Sequence, residues 1–268
     1  MWIDTHCHIH TEDDPLELAR GALNSQVSTL ICIGTDVISS EKSLEFASSV
    51  QPPAPGRSIE FPRIYSTIGL HPHDASRKGL AGVEGIARLA ESNVASRYTR
   101  LVGIGECGLD YYYENSPKAD QQEAFAAQIE IAKTYDLALV IHTRDAWEDT
   151  FAILSENPLP NRVVFHCFTG DKSIASRALD LGAFLSFSGM VTFKNADDIR
   201  EAALLTPLDR LLIETDSPFL APAPYRGKRN VPAYVGIVGE RIASLKGLTP
   251  SEFAHAAVTA AGECFSFN

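Results

Sequence analysis

Short apolar segments alternate with amphipathic ones along the whole chain. Eight of the apolar segments are bounded by Gly, Pro or Asp, and several are rich in Val and Ile, as buried strands are. None is long enough to span a membrane without interruption. We therefore predict strands over Met1–His6, Thr29–Asp36, Arg63–Leu70, Leu101–Asp110, Leu137–Thr143, Arg162–Phe168, Ala183–Ser188 and Leu211–Asp216.

The segments between these strands have helical periodicity. Apolar residues recur every three or four positions in Ala146–Glu156 and in Pro232–Lys246, with Gly247 as a stop. Thr249 and Glu252 form a capping box that begins one more helix. Repetition of strand and helix predicts a (β/α)8 TIM barrel with an additional C-terminal helix, forming one domain over residues 1–268. A doubly wound open sheet is the competing fold.

One segment fits neither pattern. Residues 51–63, QPPAPGRSIEFPR, are too rich in proline for a helix or a strand, so we expect a surface loop before the third strand.

Composition and charge narrow the function classes. Five cysteines without a CxxC pair argue against a disulfide framework and for a reducing compartment. The N-terminus lacks the basic and apolar regions of a secretion signal, so we expect a cytoplasmic protein. The net charge of −11 argues against a broad basic surface for nucleic acid. A nucleic-acid substrate would have to be bound locally.

Polar residues able to ligate metals occur at the ends of the predicted strands. The carboxyl ends of barrel strands converge on one mouth, where active sites are built. Residues two apart in a strand point the same way, as the first two of this set do. The set comprises His6, His8, Glu106, His142, His166 and Asp216.

Four imidazoles and two carboxylates are enough to hold two divalent ions, with Glu106 able to bridge them. A lone histidine at a strand end is usually a packing or loop residue. Six such residues at matching ends of five strands are hard to explain by packing, because they would need partners in one small buried volume. Imidazole suits Zn or Mn, whereas Mg favours oxygen, so the sequence indicates two divalent ions of uncertain identity.

Several motifs together resemble the TatD family of metal-dependent deoxyribonucleases, which have amidohydrolase-like barrels. They run in the family's order from residue 4 to residue 230: DTHCH, GLHPH, GECGLDYY, IHTRDA, FHCFTG, ETDSP and YRGKRN. The resemblance implies the same six metal ligands. It also implies phosphodiester hydrolysis, commonly 3′-to-5′ removal of nucleotides from single-stranded DNA and sometimes RNA, with activity supported by magnesium. Where the family often has Glu after RGKRN, this chain has Val231. The difference leaves the metal ligands intact and concerns the rim of the site where substrate would bind.

Catalytic roles follow from the positions of these residues. We predict that Asp216 ligates a metal and accepts a proton from the attacking water, and that Glu106 bridges the ions. Glu214 would orient a ligating imidazole or form a buried ion pair. His71 would contact a substrate phosphate or protonate the leaving group, or else serve only the turn before Pro72.

Further residues are candidates for substrate binding. His73 is a weaker candidate than His71, and Arg144 would hold a phosphate through its planar guanidinium. The loop with Arg226, Lys228 and Arg229 is either a substrate-backbone contact or an ordinary solvated loop. Asp110 and Tyr112 are candidates for the mouth. We assign no role to His10 and His255, which we expect at the surface.

Three cysteines directly follow proposed ligands: Cys7, Cys107 and Cys167. By strand alternation each should point away from the metals into the helix layer, as a small packing group.

Two other functions stay open. The same barrel could hydrolyse an amide, ester or lactone, because the fold does not fix the substrate. Related barrels often carry a carboxylated lysine where this chain has Glu106, which favours the nuclease by resemblance. A non-catalytic nucleic-acid-binding module is disfavoured by the charge. The expected partners are single-stranded DNA ends or short oligonucleotides, with no membrane and no obligate protein partner.

Overall fold

Eight parallel strands form one sheet in the computed structural model, which describes residues 1–50, 59–96 and 99–267. Neighbours in the sheet follow the order of the chain, from first strand to eighth. The strands are β1 (Trp2–Cys7), β2 (Val27–Ile33), β3 (Arg63–Ile68), β4 (Leu101–Asp110), β5 (Ala138–Arg144), β6 (Val163–Phe165), β7 (Phe184–Phe187) and β8 (Leu211–Ile213).

The sheet closes between β1 and the residues that follow β8. The Asp216 amide donates to the carbonyl of His6 at 2.9 Å, and the His8 amide donates to the carbonyl of Ser217 at 2.8 Å. The result is a barrel and not a doubly wound open sheet, as predicted.

Helices separate the strands and continue beyond them. The first eight follow the eight strands in turn, and the ninth is the predicted C-terminal helix, which packs on β1, β8 and α8. They are α1 (Pro15–Asn24), α2 (Val37–Ser49), α3 (Ala75–Val94), α4 (Lys118–Thr134), α5 (Trp147–Glu156), α6 (Lys172–Asp180), α7 (Asp197–Leu205), α8 (Val235–Lys246) and α9 (Pro250–Phe265).

The helix signals in the sequence act as predicted. Gly247 ends α8 in the left-handed conformation, with φ of 69°. Thr249 Oγ1 accepts from the Glu252 amide while the Glu252 carboxylate accepts from the Thr249 amide, so the capping box is present. The segment Pro232–Tyr234 is a 3-10 turn that precedes α8 rather than part of it.

Strand ends differ from the predictions where the backbone turns. Predicted strands over Arg162–Phe168 and Leu211–Asp216 end three residues early, because Cys167 and Asp216 have φ of 42° and 56°. Neither residue can continue a strand in that conformation. Both positions thus belong to loops at the mouth of the barrel.

Burial follows from a parallel sheet covered by helices. All ten residues of β4 are buried, as are all six of β1, because helices cover one face and the barrel interior the other. Fully buried phenylalanines, including Phe165 and Phe187, fill the interior and the helix layer. In the described ranges, no helix combines the length and apolarity that crossing a membrane requires.

The predicted loop over residues 51–63 is described only in part. Residues 51–58 lie outside the described ranges, and residues 59–62 are neither helix nor strand.

Candidate metal centre

Glu106 lies at the centre of the predicted ligand cluster. Its Oε1 is 2.9 Å from His142 Nδ1, 2.9 Å from His166 Nε2 and 3.3 Å from His71 Nε2. Its Oε2 is 3.4 Å from His6 Nε2. Strands β1, β4 and β5 and the segments after β3 and β6 bring these side chains together. One carboxylate therefore contacts most of the cluster.

Asp216 completes the cluster from the segment after β8. Its Oδ1 is 3.5 Å from His8 Nε2 and 3.7 Å from His6 Nε2. All six predicted ligands thus converge at the mouth. Among the residues that the structure describes, three groups have donor atoms within 4.8 Å of one another: His6, His8 and Asp216; His6, Glu106 and His166; and His71, Glu106 and His142.

Outer contacts fix the tautomers of three of the histidines. His8 Nδ1 donates to the Ile33 carbonyl at 3.1 Å, and His166 Nδ1 donates to Glu214 Oε1 at 3.2 Å. His142 Nε2 donates to Asp110 Oδ2 at 3.1 Å. When such a ring is neutral and its proton lies on the outward nitrogen, the nitrogen that faces the cluster carries a lone pair.

The positions of these lone pairs indicate whether the cluster can bind divalent ions. His142 Nδ1 and His166 Nε2 face each other at 3.3 Å, and both face Glu106 Oε1. His6 Nε2 and His8 Nε2 also face each other at 3.3 Å. Among the described residues, no Lys or Arg ion pair reaches Glu106 or Asp216 within 4.0 Å. Such converging donors fit divalent cations.

Burial and charge shift the pKa values of the cluster in opposite directions. Burial alone would raise the pKa of Glu106, but His166, His71 and His142 hold it well below its ordinary value. Burial alone would lower the pKa of His166, yet Glu106 and Glu214 hold it well above. Without metal the cluster therefore retains protons on imidazole, which an incoming cation must displace.

Glu214 makes a contact with His166 that fits both roles left open by the sequence, orienting an imidazole and forming a buried ion pair. This fully buried carboxylate accepts from His166 Nδ1 and, at 2.9 Å, from the Cys167 amide. It therefore fixes both the ring and the turn after β6.

Asp4 is a residue that sequence reasoning missed. Its buried carboxylate accepts from the Thr215 amide at 2.9 Å, the Thr215 hydroxyl at 2.5 Å and the His6 amide at 3.3 Å. It thereby ties β1 to the segment that carries Asp216. The even spacing of Asp4, His6 and His8 was the available signal, because alternate strand residues share a face.

Two glycines let β4 approach β5 closely enough to bring Glu106 beside His142. Gly105 and Gly108 have φ of 134° and 132°, which side chains rarely allow. A Cβ at Gly108 would lie 2.1 Å from the His142 carbonyl oxygen. The motif GECG thus supplies a ligand and the backbone that positions it.

The two histidines of GLHPH differ in position. His71 Nδ1 accepts from the His73 amide at 3.1 Å, so a neutral His71 carries its proton on Nε2, toward Glu106. That tautomer favours hydrogen-bond donation over metal ligation, although the residue lies in the cluster. His73 Nε2 instead donates to Asp110 Oδ2 at 2.9 Å.

Asp110 connects the cluster to the loop after β4. Besides the two imidazoles, it accepts from the amides of Tyr112 and Tyr113 at 3.1 and 2.9 Å. The guanidinium of Arg144 lies 3.9 Å from the centroid of the Tyr112 ring. Asp110 is therefore a buried positioning residue, more than a lining of the mouth.

The predicted basic loop is partly engaged within the protein. Arg226 lies over the Phe193 ring at 4.4 Å, and Arg229 forms an ion pair with Glu12. Lys228 is exposed. A substrate role for these three residues stays a prediction.

The surface prediction for His10 is wrong, whereas His255 is exposed as predicted. His10 lies in a 3-10 turn under α2, where its Nε2 is 3.3 Å from Ser39 Oγ. Burial lowers the pKa of His10 to about 3.

The cysteine prediction holds for two of three residues. Cys7 and Cys107 are fully buried, and their thiols lie against the carbonyls of Ile31 and Val140. Cys167 is only partly buried, and its Sγ is 3.2 Å from Ser188 Oγ at the end of β7. Alternation fails there because β6 ends at Phe165.

The barrel and the converging donor atoms at its mouth agree with a metal-dependent hydrolase. The family model "TatD related DNase" matches residues 3–266, and the chain belongs to that family. YabD of Bacillus subtilis, an uncharacterized metal-dependent hydrolase, is 38% identical over 275 residues and 100% of both chains. YcfH of Escherichia coli K12, of the same description, is 39% identical over 94% of this chain and 91% of its own.

Solved structures show the same fold. YjjV, a TatD homolog from E. coli K12, has a TM-score of 0.88 at 26% identity, covering 100% of this chain and 98% of its own. The organophosphorus hydrolase of Deinococcus radiodurans has a TM-score of 0.63 at 15% identity, over 100% and 92%. That likeness concerns the fold alone.

Proposed function

We propose that this protein is a deoxyribonuclease that removes nucleotides from the 3′ end of single-stranded DNA. The observation that carries the proposal is the convergence of three outward-fixed imidazoles and two carboxylates on one volume at the mouth. Such a donor set suits two divalent ions, and membership of a family described as TatD-related DNase supports phosphodiesters as the substrate.

His6, His8, Glu106, His142, His166 and Asp216 would hold the two ions. Bound there, the ions would activate water and stabilise the charge that develops in hydrolysis. Asp216, whose side chain is partly exposed at the mouth, accepts the proton of the attacking water. Its position is fixed by two hydrogen bonds: its own amide donates to the His6 carbonyl, and the amide of the preceding residue, Thr215, donates to Asp4.

His71 lies beside Glu106 and acts on the substrate from there. Burial lowers the pKa of His71, so the imidazole is neutral near pH 7 and carries one proton, on the Nε2 that lies 3.3 Å from Glu106 Oε1. With substrate bound, this N–H would turn from Glu106 to a phosphate oxygen. This fits a role in holding phosphate better than one as a strong proton donor. Arg144 adds a guanidinium at the same side of the mouth.

Incubation of the metal-loaded protein with 5′-labelled and 3′-labelled single-stranded DNA tests the proposal. We expect stepwise shortening from the 3′ end with Mg²⁺ or Mn²⁺, and none with EDTA or with the Asp216→Asn variant. Hydrolysis of a panel of esters, lactones and amides is measured in parallel, to test the alternative of an amide or ester hydrolase. Intact DNA together with metal-dependent turnover of a panel member would replace the nuclease by an amide or ester hydrolase.

A further inference from the structure

Two sets of exposed aromatic rings flank the metal cluster. Tyr112 and Tyr113, two and three residues after the end of β4, are 58% and 55% exposed. Phe219, shortly after β8, is 61% exposed. Because β4 and β8 are four strands apart in a ring of eight, the two sets lie on opposite sides of the mouth.

The tyrosine side is anchored to the cluster by one carboxylate. Asp110 Oδ1 accepts from both tyrosine amides, while its Oδ2 accepts from His142. The Tyr113 ring meets the His73 ring edge to face at 5.6 Å, and Arg144 lies 3.9 Å over Tyr112. The rings are therefore exposed but fixed relative to the ligands.

The phenylalanine side is fixed in a similar way. The Phe219 amide donates to the Asp216 carbonyl at 2.9 Å, and its own carbonyl accepts from Asn230 Nδ2 at 2.6 Å. Its ring meets the His8 ring edge to face, with centroids 6.4 Å apart. A large apolar side chain is thus presented to solvent beside a ligand by a turn that is tied down.

Exposed rings on a rigid frame suit flat ligand groups. Every nucleobase has a π face, and stacking on an aromatic side chain is tolerant of sequence. A base paired inside a duplex stacks on its neighbours and does not present that face. A small ester or lactone would reach the cluster without needing a flat group on each side. The arrangement therefore favours unpaired nucleotides.

We propose that Phe219 and the Tyr112–Tyr113 pair stack the nucleobases on either side of the scissile phosphodiester, with Arg144 bracing the tyrosine side. The site then selects at least two consecutive unpaired nucleotides. This inference rests on the proposed function, since it places a phosphodiester at the cluster between the two stacks.

Binding of labelled single-stranded DNA in EDTA tests the stacks without hydrolysis. We expect Phe219→Ala and Tyr112→Ala each to raise the Kd about tenfold, within the range for loss of one stacked base. Phe219→Trp should bind like the wild type, because the indole restores the π face. Leu204→Ala is the control, since Leu204 is 48% exposed near the carboxyl end of α7, away from the mouth.

Oligonucleotides with one abasic position separate stacking from a general loss of structure. The abasic position is moved stepwise from the 3′ end. At one position it should raise the Kd of the wild type by the same factor as Phe219→Ala does, and it should not raise the Kd of Phe219→Ala any further. The stacking proposal would be refuted if both alanine variants had Kd values within twofold of wild type. It would also be refuted if every abasic position lowered the affinity equally.

Cleavage of methyl p-nitrophenyl phosphate, a small phosphodiester, is measured separately. The wild type and the Leu204→Ala control should cleave it at the same rate, because this diester does not need the stack. A wild type that binds through the rings but cleaves neither diester nor DNA would refute the proposed function while leaving the stacks standing.

Discussion

Replacement of Glu214 by glutamine changes the cluster through a single buried group. Glu214 Oε1 accepts from His166 Nδ1 at 3.2 Å and from the Cys167 amide at 2.9 Å, and its side chain is fully buried. Glutamine keeps an acceptor of similar shape but removes the negative charge. Loss of such an outer partner costs metal affinity about 10-fold to 100-fold, or about 1.4–2.7 kcal/mol.

The size of the effect should depend on pH, with a definite sign. Glu214 and Glu106 hold the pKa of His166 well above its ordinary value, although burial alone would lower it. Below that raised pKa the wild type must release a proton to bind metal, while Glu214→Gln, with a lower His166 pKa, has less to release. The full difference in metal affinity between wild type and Glu214→Gln should therefore appear at alkaline pH and become smaller as the pH falls.

Competition for Zn²⁺ with a chromophoric chelator measures this difference at pH 8.5 and pH 6.5. Glu148→Gln is the matched control, because Glu148 pairs with Arg177 at the exposed surface. Equal Zn²⁺ affinity for Glu214→Gln and wild type at pH 8.5, or a deficit that grows toward pH 6.5, would refute the orienting role.

Three further predictions follow from the structure. Cys107→Ser should retain its full metal content by mass spectrometry, because the thiol lies against the Val140 carbonyl; substantial metal loss would contradict this. Gly108→Ala should lose at least about 2 kcal/mol of unfolding free energy in urea, since its Cβ would meet the His142 carbonyl at 2.1 Å; an unchanged midpoint would refute it. Affinity for single-stranded DNA should fall with a log–log salt slope of about −1.4 to −2.1, as for two or three phosphate contacts; a much steeper slope would require a wider basic surface.

The sequence was sufficient for the fold because strand and helix signals repeat without conflict. Each of the eight predicted strands is present, and the Thr249 capping box and the Gly247 stop begin and end helices as expected. Errors lie at the mouth, where Cys167 and Asp216 leave the strand conformation. Tertiary contacts fix those turns, and local periodicity carries no signal for them.

The six ligand candidates could be predicted because five of them lie at or just beyond strand ends and Glu106 lies four residues before the end of β4. Their supporting contacts could not be predicted. Asp110 joins β4 to histidines 37 and 32 positions away, and Asp4 joins residues 211 positions apart. His10 was misjudged because an imidazole three residues beyond a strand can equally be exposed or covered by a helix. Long-range packing decides such positions.

Nucleotide release as a function of bound metal tests the central claim most directly. Metal-free protein is titrated with Mn²⁺ while shortening of 3′-labelled single-stranded DNA is followed against metal equivalents per chain. The proposed centre predicts no release without metal, a rise that ends at two equivalents, and no rise for Glu106→Ala. Release by the metal-free protein, or an undiminished rise in Glu106→Ala, would contradict a two-metal nuclease built around Glu106.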